Sequence, residues 1–159
     1  MQRDLRCEWL IEKSVRYNAL YTRVMEKCIC YISKKYGMKE TLCVGDFEFL
    51  AAVANARTED VNMAQIARLL AVNPSSATRR TRRLMDCELV SKTSDSADER
   101  RYQIALTEKG HAFWAEMEEH LQAMMQEICD PVTQEEMQTV IAFTDQCIDS
   151  LQKILDEWA

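Results

Sequence analysis

The most distinctive chemistry in the sequence is a short cationic segment in an otherwise acidic chain. The 159 residues carry a formal net charge of −6, yet four basic residues and no acidic one lie between Asn73 and Met85. These four residues are Arg79, Arg80, Arg82 and Arg83. Arginine can donate two parallel hydrogen bonds to a guanine edge or to a phosphate. Because binding depends on the local field more than on the net charge, the segment predicts contact with a nucleic acid.

Three helix-start signals indicate how this segment is positioned. Asp46 is predicted to cap a helix over residues 46–55, and Asn62 to cap a second, shorter one. Asn73-Pro74 predicts the start of a third, since asparagine accepts from the free N–H groups and proline fits the first helical position. On this third helix the predicted inward side chains are Ala77, Thr81, Leu84 and Met85. The side chains left facing water are Ser75, Ser76, Arg79, Arg80, Arg82 and Arg83.

A hairpin is predicted directly after the cationic helix. Residues 88–93 are too short and too β-branched for another helix, and residues 101–106 alternate apolar and polar side chains. The polar segment 94–99 between them is turn-like. A helix about 10–12 Å wide fits the major groove of DNA, which is about 12 Å across. A helix-turn-helix followed by a hairpin with a charged tip is typical of a winged helix-turn-helix.

Long amphipathic helices flank this core. The N-terminal flanking helix is expected to end near Gly37. Of the two C-terminal flanking helices, one is expected to begin at Thr107 and the other to begin with a capping box formed by Thr133 and Glu136. The last helix carries a strict heptad of Met137, Ile141, Thr144, Ile148, Leu151, Leu155 and Trp158. Such a seam packs against other helices. Since no sheet is available for them to cover, these helices are predicted to pack on a second copy of the chain.

The predicted fold is therefore mainly α, a winged helix-turn-helix with a two-stranded β wing, flanked by long dimerisation helices. Its three parts are an N-terminal dimerisation helix over residues 1–37, a DNA-binding core over 44–110, and C-terminal dimerisation helices over 107–159. The presence of only 3 Gly and 2 Pro agrees with long helices.

Residues 46–110 resemble the DNA-binding core of the MarR family, the multiple-antibiotic-resistance regulators. The motifs that carry the resemblance, in order, are Ala77-Thr78-Arg79, Arg83-Leu84, Leu89-Val90, Asp98-Glu99-Arg100-Arg101 and Leu106-Thr107-Glu108-Lys109-Gly110. The resemblance implies an obligate homodimer whose recognition helices enter successive major grooves of a pseudo-palindromic operator in double-stranded DNA. It also implies that Arg100, oriented by Asp98, enters the minor groove. Thr78 and Arg101 join the predicted DNA contacts on the same basis.

Two residues depart from the family's pattern. Glu88 stands where a glycine is usual after the recognition helix, so a residue with a side chain is expected to adopt an unfavourable backbone angle. Arg82 stands where an acid is usual next to the Arg-Leu pair. That change removes an intrahelical partner for Arg79 or Arg83 and makes the helix more cationic.

The resemblance further implies an effector, a phenolic or other amphipathic small molecule bound between the first helix, the second helix and the first C-terminal helix. The candidate lining residues are Tyr21, Met25, Phe47 and Trp114. Packing in the core is the alternative role for each of them.

Cysteine chemistry provides a second function hypothesis. Cys28 and Cys30 lie about 200° apart on a helix, and His111 and His120 also face opposite ways, so no metal site is predicted. A cysteine near the N-terminus resembles the reactive thiol of the family's hydroperoxide-sensing branch, and here that residue is Cys7. The alternative function is thus a redox-sensing repressor.

Other classes of function lack sequence support. No glycine-rich phosphate loop or nucleophile motif occurs, so neither an enzyme nor a cofactor is predicted. No apolar run is long enough to be a signal peptide or to span a bilayer, so a cytoplasmic location is expected. The leading hypothesis is a ligand-responsive repressor acting as a homodimer. A further alternative is a winged-helix module that binds proteins without reading DNA.

Overall fold

The computed structural model describes residues 5–56, 62–94 and 102–158. Six helices and a two-stranded sheet occur in the predicted order. They are α1 (Leu5–Lys35), α2 (Val44–Ala54), α3 (Met63–Leu69), α4 (Pro74–Asp86), β1 (Val90–Ser94), β2 (Tyr102–Leu106), α5 (Glu108–Cys129) and α6 (Gln134–Trp158). The predicted mainly α fold with a two-stranded wing is confirmed. The chain divides into two compact units, Met1–Glu118 and Glu119–Ala159.

The helix starts follow from local sequence, with one exception. Asn62 and Asn73 cap α3 and α4 as predicted, their side chains accepting from the backbone N–H groups of Gln65 and Ser76. Asp46 is not the cap of α2, contrary to the prediction. Cys43 occupies that position, and the Asp46 carboxylate reaches back to accept the Cys43 backbone N–H at 3.0 Å. An acid in the first turn still complements the helix dipole, which is why the pattern indicated the right helix with the wrong first residue.

The core of the first unit is formed by side chains of α1 to α5 and of the sheet. Its fully buried side chains include Phe49, Leu50, Leu84, Leu89, Ile104, Phe113 and Met117. Strands β1 and β2 pair antiparallel, with Val90 opposite Leu106. Met85, predicted to face inward, is 40% exposed. The buried stripe of α4 runs through Ala77, Thr81 and Leu84, and the next residue is rotated by about 100° out of that stripe.

The start of α5 is joined to the end of α4 by a small network of backbone contacts. The Thr107 hydroxyl donates to the carbonyl oxygen of Glu88 and accepts the Gly110 N–H at 2.9 Å, while the Thr107 N–H donates to the Leu89 carbonyl at 3.0 Å. A Cβ atom built on Gly110 would overlap that same Leu89 carbonyl oxygen. This contact explains in physical terms why the segment 106–110 needs threonine and glycine three residues apart.

Substituting Gly110 is expected to destabilise the protein, although the residue lies in a helix. Gly→Ala in an open helix interior stabilises by about 1 kcal/mol. Gly110→Ala is expected instead to lower the free energy of unfolding by about 1–3 kcal/mol, because the added methyl must displace backbone. Urea denaturation at fixed protein concentration measures the change.

The matched control for this substitution is Gly37, which lies in the turn after α1, has φ of +63° and has open space around its Cβ position. Gly37→Ala is expected to lower stability by about 1 kcal/mol through backbone conformation alone. A Gly110→Ala protein as stable as the parent would show that the contact with Leu89 relaxes freely.

The two terminal helices expose long apolar surfaces. In α1 the exposed side chains include Trp9, Ile11, Val15, Tyr17, Leu20, Val24 and Tyr31. In α6 they include Ile141, Phe143, Ile148, Leu151, Leu155 and Trp158. The capping box of α6 is present, since the Thr133 N–H donates to the Glu136 carboxylate at 2.9 Å. Within the described residues, no helix is both long enough and apolar enough to cross a membrane.

Candidate nucleic-acid interface

The exposed side of α4 presents some, but not all, of the side chains that the sequence predicted for DNA contact. This helix has 13 residues, and the positions of Ser75, Thr78, Arg79 and Arg82 face solvent, with Ser76 half-buried beside them. Arg79 and Arg82 make no hydrogen bond or ion pair to any residue that the structure describes. Two guanidinium groups one helical turn apart are therefore available to a ligand outside the chain.

Arg83 does not face water freely, contrary to the prediction. Its Nη1 atom lies 3.0 Å from Oδ2 of Asp46 in α2, and its Nε atom lies 3.9 Å from the Glu40 carboxylate. Asp46 is only 2% exposed. Burial by itself would raise the pKa of the Asp46 carboxyl group, but hydrogen bonds from Cys43 and Arg83 outweigh it and leave that pKa below its ordinary value. The carboxylate is thus held ionised beneath α4.

Arg80 is also directed toward α2 and not toward water. Its guanidinium lies against Gly45, where a Cβ atom would overlap it, and only 20% of its side chain is exposed. Its Nη1 atom is buried without a hydrogen-bond partner among the described residues, and the Glu48 carboxylate is 4.0 Å away. We call Gly45, Asp46, Arg80 and Arg83 the α2–α4 clamp. A contact of either arginine with DNA stays a prediction.

The Asp46 carboxylate provides a direct test of this clamp. Asp46→Asn is expected to lower the free energy of unfolding at pH 7 by about 1–3 kcal/mol, because it removes the charge that Arg83 pairs with. The folded-state pKa is depressed, so the stabilisation is complete above the unfolded-state pKa of about 3.9. It is lost as the pH falls through the lower folded-state value. Urea denaturation between pH 7 and pH 3 should therefore show the parent and variant converging only in acid.

The matched control is Glu40→Gln, which removes the more distant and exposed acid near the same Arg83. Surface pairs of this kind contribute about 0–1 kcal/mol. Equal effects of the two substitutions at pH 7, or a difference between the parent and Asp46→Asn that does not shrink as the pH falls below about 3.9, would contradict the assigned role of Asp46.

The turn after α4 confirms one departure noted in the sequence. Glu88 has φ of +62°, the left-handed region that glycine adopts easily. Its carboxylate pairs with Lys109 Nζ at 3.0 Å. Ala71, in the turn between α3 and α4, also has positive φ, +49°, and no pattern in the sequence predicted it. Both turns that flank α4 therefore use strained, non-glycine residues.

The wing tip and the reactive-cysteine candidate are outside what the structure describes. Asp98, Arg100 and Arg101 fall in the gap between β1 and β2, so their predicted roles are untested. Cys7 belongs to α1, but its side chain is likewise outside the described part. No group of three His, Cys, Asp or Glu side chains in the described ranges is arranged to hold a metal ion.

The predicted effector residues lie in the packed interior of the first unit. Met25 and Phe47 are buried, and Tyr21 and Trp114 are half-buried. The rings of Phe47 and Trp114 are stacked, with centroids 5.8 Å apart, and thereby join α2 to α5. Burial raises the pKa of the Tyr21 hydroxyl, so this group is protonated at neutral pH. These contacts are those of residues packed in a protein core. A role of the four residues in binding a ligand stays a prediction.

The family model that matches the chain is that of the MarR family, over residues 37–101, so the resemblance read from the sequence is confirmed for that segment. No curated protein sequence matches the chain significantly. Solved structures of other proteins share its fold, including those of AbsC, FabT and MepR. AbsC, a MarR family transcriptional regulator from Streptomyces coelicolor, is 19% identical with a TM-score of 0.75, and the match covers 96% of this chain and 98% of that chain.

The other two structures contain DNA. FabT from Streptococcus pneumoniae, in complex with DNA, is 18% identical with a TM-score of 0.66, covering 98% of this chain and 100% of that one. The MepR–DNA complex from S. aureus is 16% identical with a TM-score of 0.69, covering 86% and 96%. Because these sequence identities are low, the similarity to the three structures supports a shared fold and nothing beyond it.

Proposed function

We propose that this chain, whose residues 37–101 match the model of the MarR family, is a ligand-responsive transcriptional repressor that binds a pseudo-palindromic operator as a homodimer. The observation that carries the proposal is the exposed face of α4. There Arg79 and Arg82 stand free of partners among the described residues, while the neighbouring Arg80 and Arg83 hold the helix against α2. A helix fixed in this way can present two guanidinium groups to DNA with little loss of conformational entropy.

DNA recognition is assigned to α4 and the wing. Arg79, one turn into the helix, is placed to contact base edges in the major groove, and Arg82 to contact a base or a neighbouring phosphate. Ser75, Ser76 and Thr78 lie near the helix N-terminus, where phosphates are favoured. Arg100 and Arg101, with Asp98, are assigned to the minor groove beside it. The DNA complexes of FabT and MepR, which share this fold, support the assignment.

Homodimerisation is assigned to residues 1–37 and 107–159. The exposed apolar side chains of α1 and α6 support it, because a monomeric soluble protein rarely leaves so much contiguous apolar surface in water. Two-fold symmetry of the dimer requires two half-sites related by the same symmetry, which is why the operator is proposed to be a pseudo-palindrome.

Effector response is assigned to the region of Tyr21, Met25, Phe47 and Trp114. Because the Phe47–Trp114 stack joins α2 of the DNA-binding core to α5, an amphipathic or phenolic molecule that displaced one ring would shift these helices. Such a shift changes the spacing of the two recognition helices in a dimer and thereby releases DNA.

Selection of duplexes from a random library by the full-length protein tests the DNA-binding proposal. We expect enrichment of an inverted repeat with half-site centres about 10 base pairs apart. Fluorescence anisotropy at one fixed salt concentration should then give an affinity at least about 1,000-fold above that for a scrambled duplex. A reporter gene under the selected site should be less active when the protein is present. Absence of any enriched sequence would favour the protein-interaction alternative.

A further inference from the structure

A cleft of about 540 Å³ lies beside the C-terminal half of α4, away from the predicted effector residues. Residues 37–40, which follow α1, form one wall, and Arg79, Arg82 and Arg83 of α4 form another. Lys109 and the turn that follows α4 close one end of the cleft. Sites for small molecules in proteins typically measure about 300–1,000 Å³, so the cleft is large enough for a metabolite.

The cleft is cationic although the protein is acidic. Five basic and three acidic residues line it, a net charge of +2. Two of the five cations are already paired, Arg83 with Asp46 and Lys109 with Glu88, each at 3.0 Å. The remaining three are Lys39, Arg79 and Arg82, none of which has a partner in the part of the chain that the structure describes. Unpaired cations that line a concave site produce a strong positive electrostatic potential inside it.

The wall of the cleft also provides apolar contact. Met38 and Cys87 are half-buried in it. Burial raises the pKa of the Cys87 thiol, so this group is neutral at physiological pH and behaves as a small apolar side chain. The Cβ position of Gly37 has open space around it. A ligand here can therefore place a charged group on the cations and an apolar body against Met38 and Cys87.

We propose that this cleft binds a small organic dianion, specifically a phosphate monoester with an apolar body, through Lys39, Arg79 and Arg82. Three cations without partners among the described residues are available to the doubly charged head group, and guanidinium groups donate paired hydrogen bonds to phosphate oxygens. The acidic side chains Glu40, Asp86 and Glu88 repel a long polyanion that would have to run past them. A compact anion is therefore favoured over a nucleic-acid strand as the occupant of the cleft.

The ligand and DNA compete in this arrangement, a consequence that rests on the proposed DNA-binding function. Arg79 and Arg82 belong both to the cleft and to the exposed face of α4. Neither guanidinium can bind a phosphate monoester and a base edge at the same time. A ligand in the cleft therefore releases DNA by direct competition, with no change in the spacing of the recognition helices.

Isothermal titration of the full-length protein with phenyl phosphate tests the site itself. At about pH 8, above the second phosphate pKa of about 6, the probe is a dianion. We expect saturable binding with one site per chain, weakened about tenfold in Lys39→Gln, because one charge-assisted hydrogen bond is removed. Benzenesulfonate, a monoanion of similar size, should bind more weakly than phenyl phosphate.

The matched control is Arg68→Gln, an exposed cation on α3 outside the cleft, which should leave the affinity unchanged. Lys39 is exposed, so its substitution should not alter folding, and circular dichroism checks this. Absence of phenyl phosphate binding, or equal affinities for the parent and Lys39→Gln, would overturn the proposal.

A competition experiment separates the cleft from the proposed function. Phenyl phosphate is compared with sodium chloride at equal ionic strength, because salt alone weakens DNA binding. We expect phenyl phosphate to raise the dissociation constant for a selected duplex further than chloride does, and Lys39→Gln to reduce the difference. Binding of phenyl phosphate by a protein that binds no duplex would sustain the cleft and refute the proposed function. DNA binding without phenyl phosphate binding would refute the cleft alone.

Discussion

Arg79→Ala is expected to reduce the affinity for the selected operator by at least about 30-fold, because a dimer loses about 1–3 kcal/mol in each of two half-sites, and to reduce the affinity for a scrambled duplex far less. The guanidinium of Arg79 is exposed and has no partner among the described residues. A bidentate contact with a base edge is worth about 1–3 kcal/mol of discrimination against the wrong base. Its loss therefore removes selectivity at one base pair in each half-site while leaving the phosphate contacts in place.

Arg79→Lys is the informative companion variant. Lysine keeps the positive charge but lacks the planar fork that donates two parallel hydrogen bonds. We expect Arg79→Lys to lose most of the discrimination between the operator and single-base variants, and to keep the salt dependence of the parent. Anisotropy titrations at several salt concentrations measure both quantities. A uniform loss of affinity for all duplexes in both variants would assign Arg79 to phosphate contact instead.

The other arginines of α4 are expected to respond differently, for reasons that lie in their contacts. If Arg82 binds phosphate, Arg82→Ala should lower the slope of log affinity against log salt by about 0.9 for each phosphate that is no longer neutralised. Arg80 and Arg83 belong to the α2–α4 clamp, so their substitution should appear first as lower stability to urea. The four arginines thus divide into two exposed residues and two that hold the helix.

This division marks the limit of what the sequence could predict. A helical wheel centred on the buried Ala77, Thr81 and Leu84 distinguishes two sides of α4, but it cannot say what lies beside each. The partner of Arg83 is 37 residues earlier in the chain, on a different helix. Only the packing of α2 on α4 brings these groups together, and such tertiary contacts leave no local signal.

Local chemistry, by contrast, predicted the elements well. The side chains of Asn62, Asn73 and Thr133 each cap a backbone N–H three residues later, so their capping roles could be read directly from the sequence. The positive φ of Glu88 followed from the glycine expected at that place. The cleft could not be predicted, because it requires residues 37–40 to lie beside a helix that begins at Pro74.

A dimer is expected to dissociate when the apolar face of α6 receives negative charge. Ile148 and Leu151 lie on one side of this helix and are 58% and 60% exposed in the single chain. Burial of such side chains is worth about 1.5–3 kcal/mol each, and a two-fold interface buries each of them twice. Replacing both with glutamate removes that contribution and adds charges that must remain hydrated. At micromolar concentration, sedimentation equilibrium should therefore find mainly monomer.

Lys153→Glu is the matched control, because Lys153 lies on the opposite side of the same helix and its substitution makes α6 comparably more acidic. It should leave the dimer intact, which would attribute dissociation to the position of the charge and not to the charge alone.

The DNA affinity links this result to the proposed function. A monomer binds one half-site, so the double variant should lose at least about 100-fold in operator affinity and about half of the salt-dependence slope. A double variant that remains dimeric would place the interface elsewhere. A monomeric variant with undiminished operator affinity would show that one copy suffices, and the pseudo-palindromic operator would then have no physical basis.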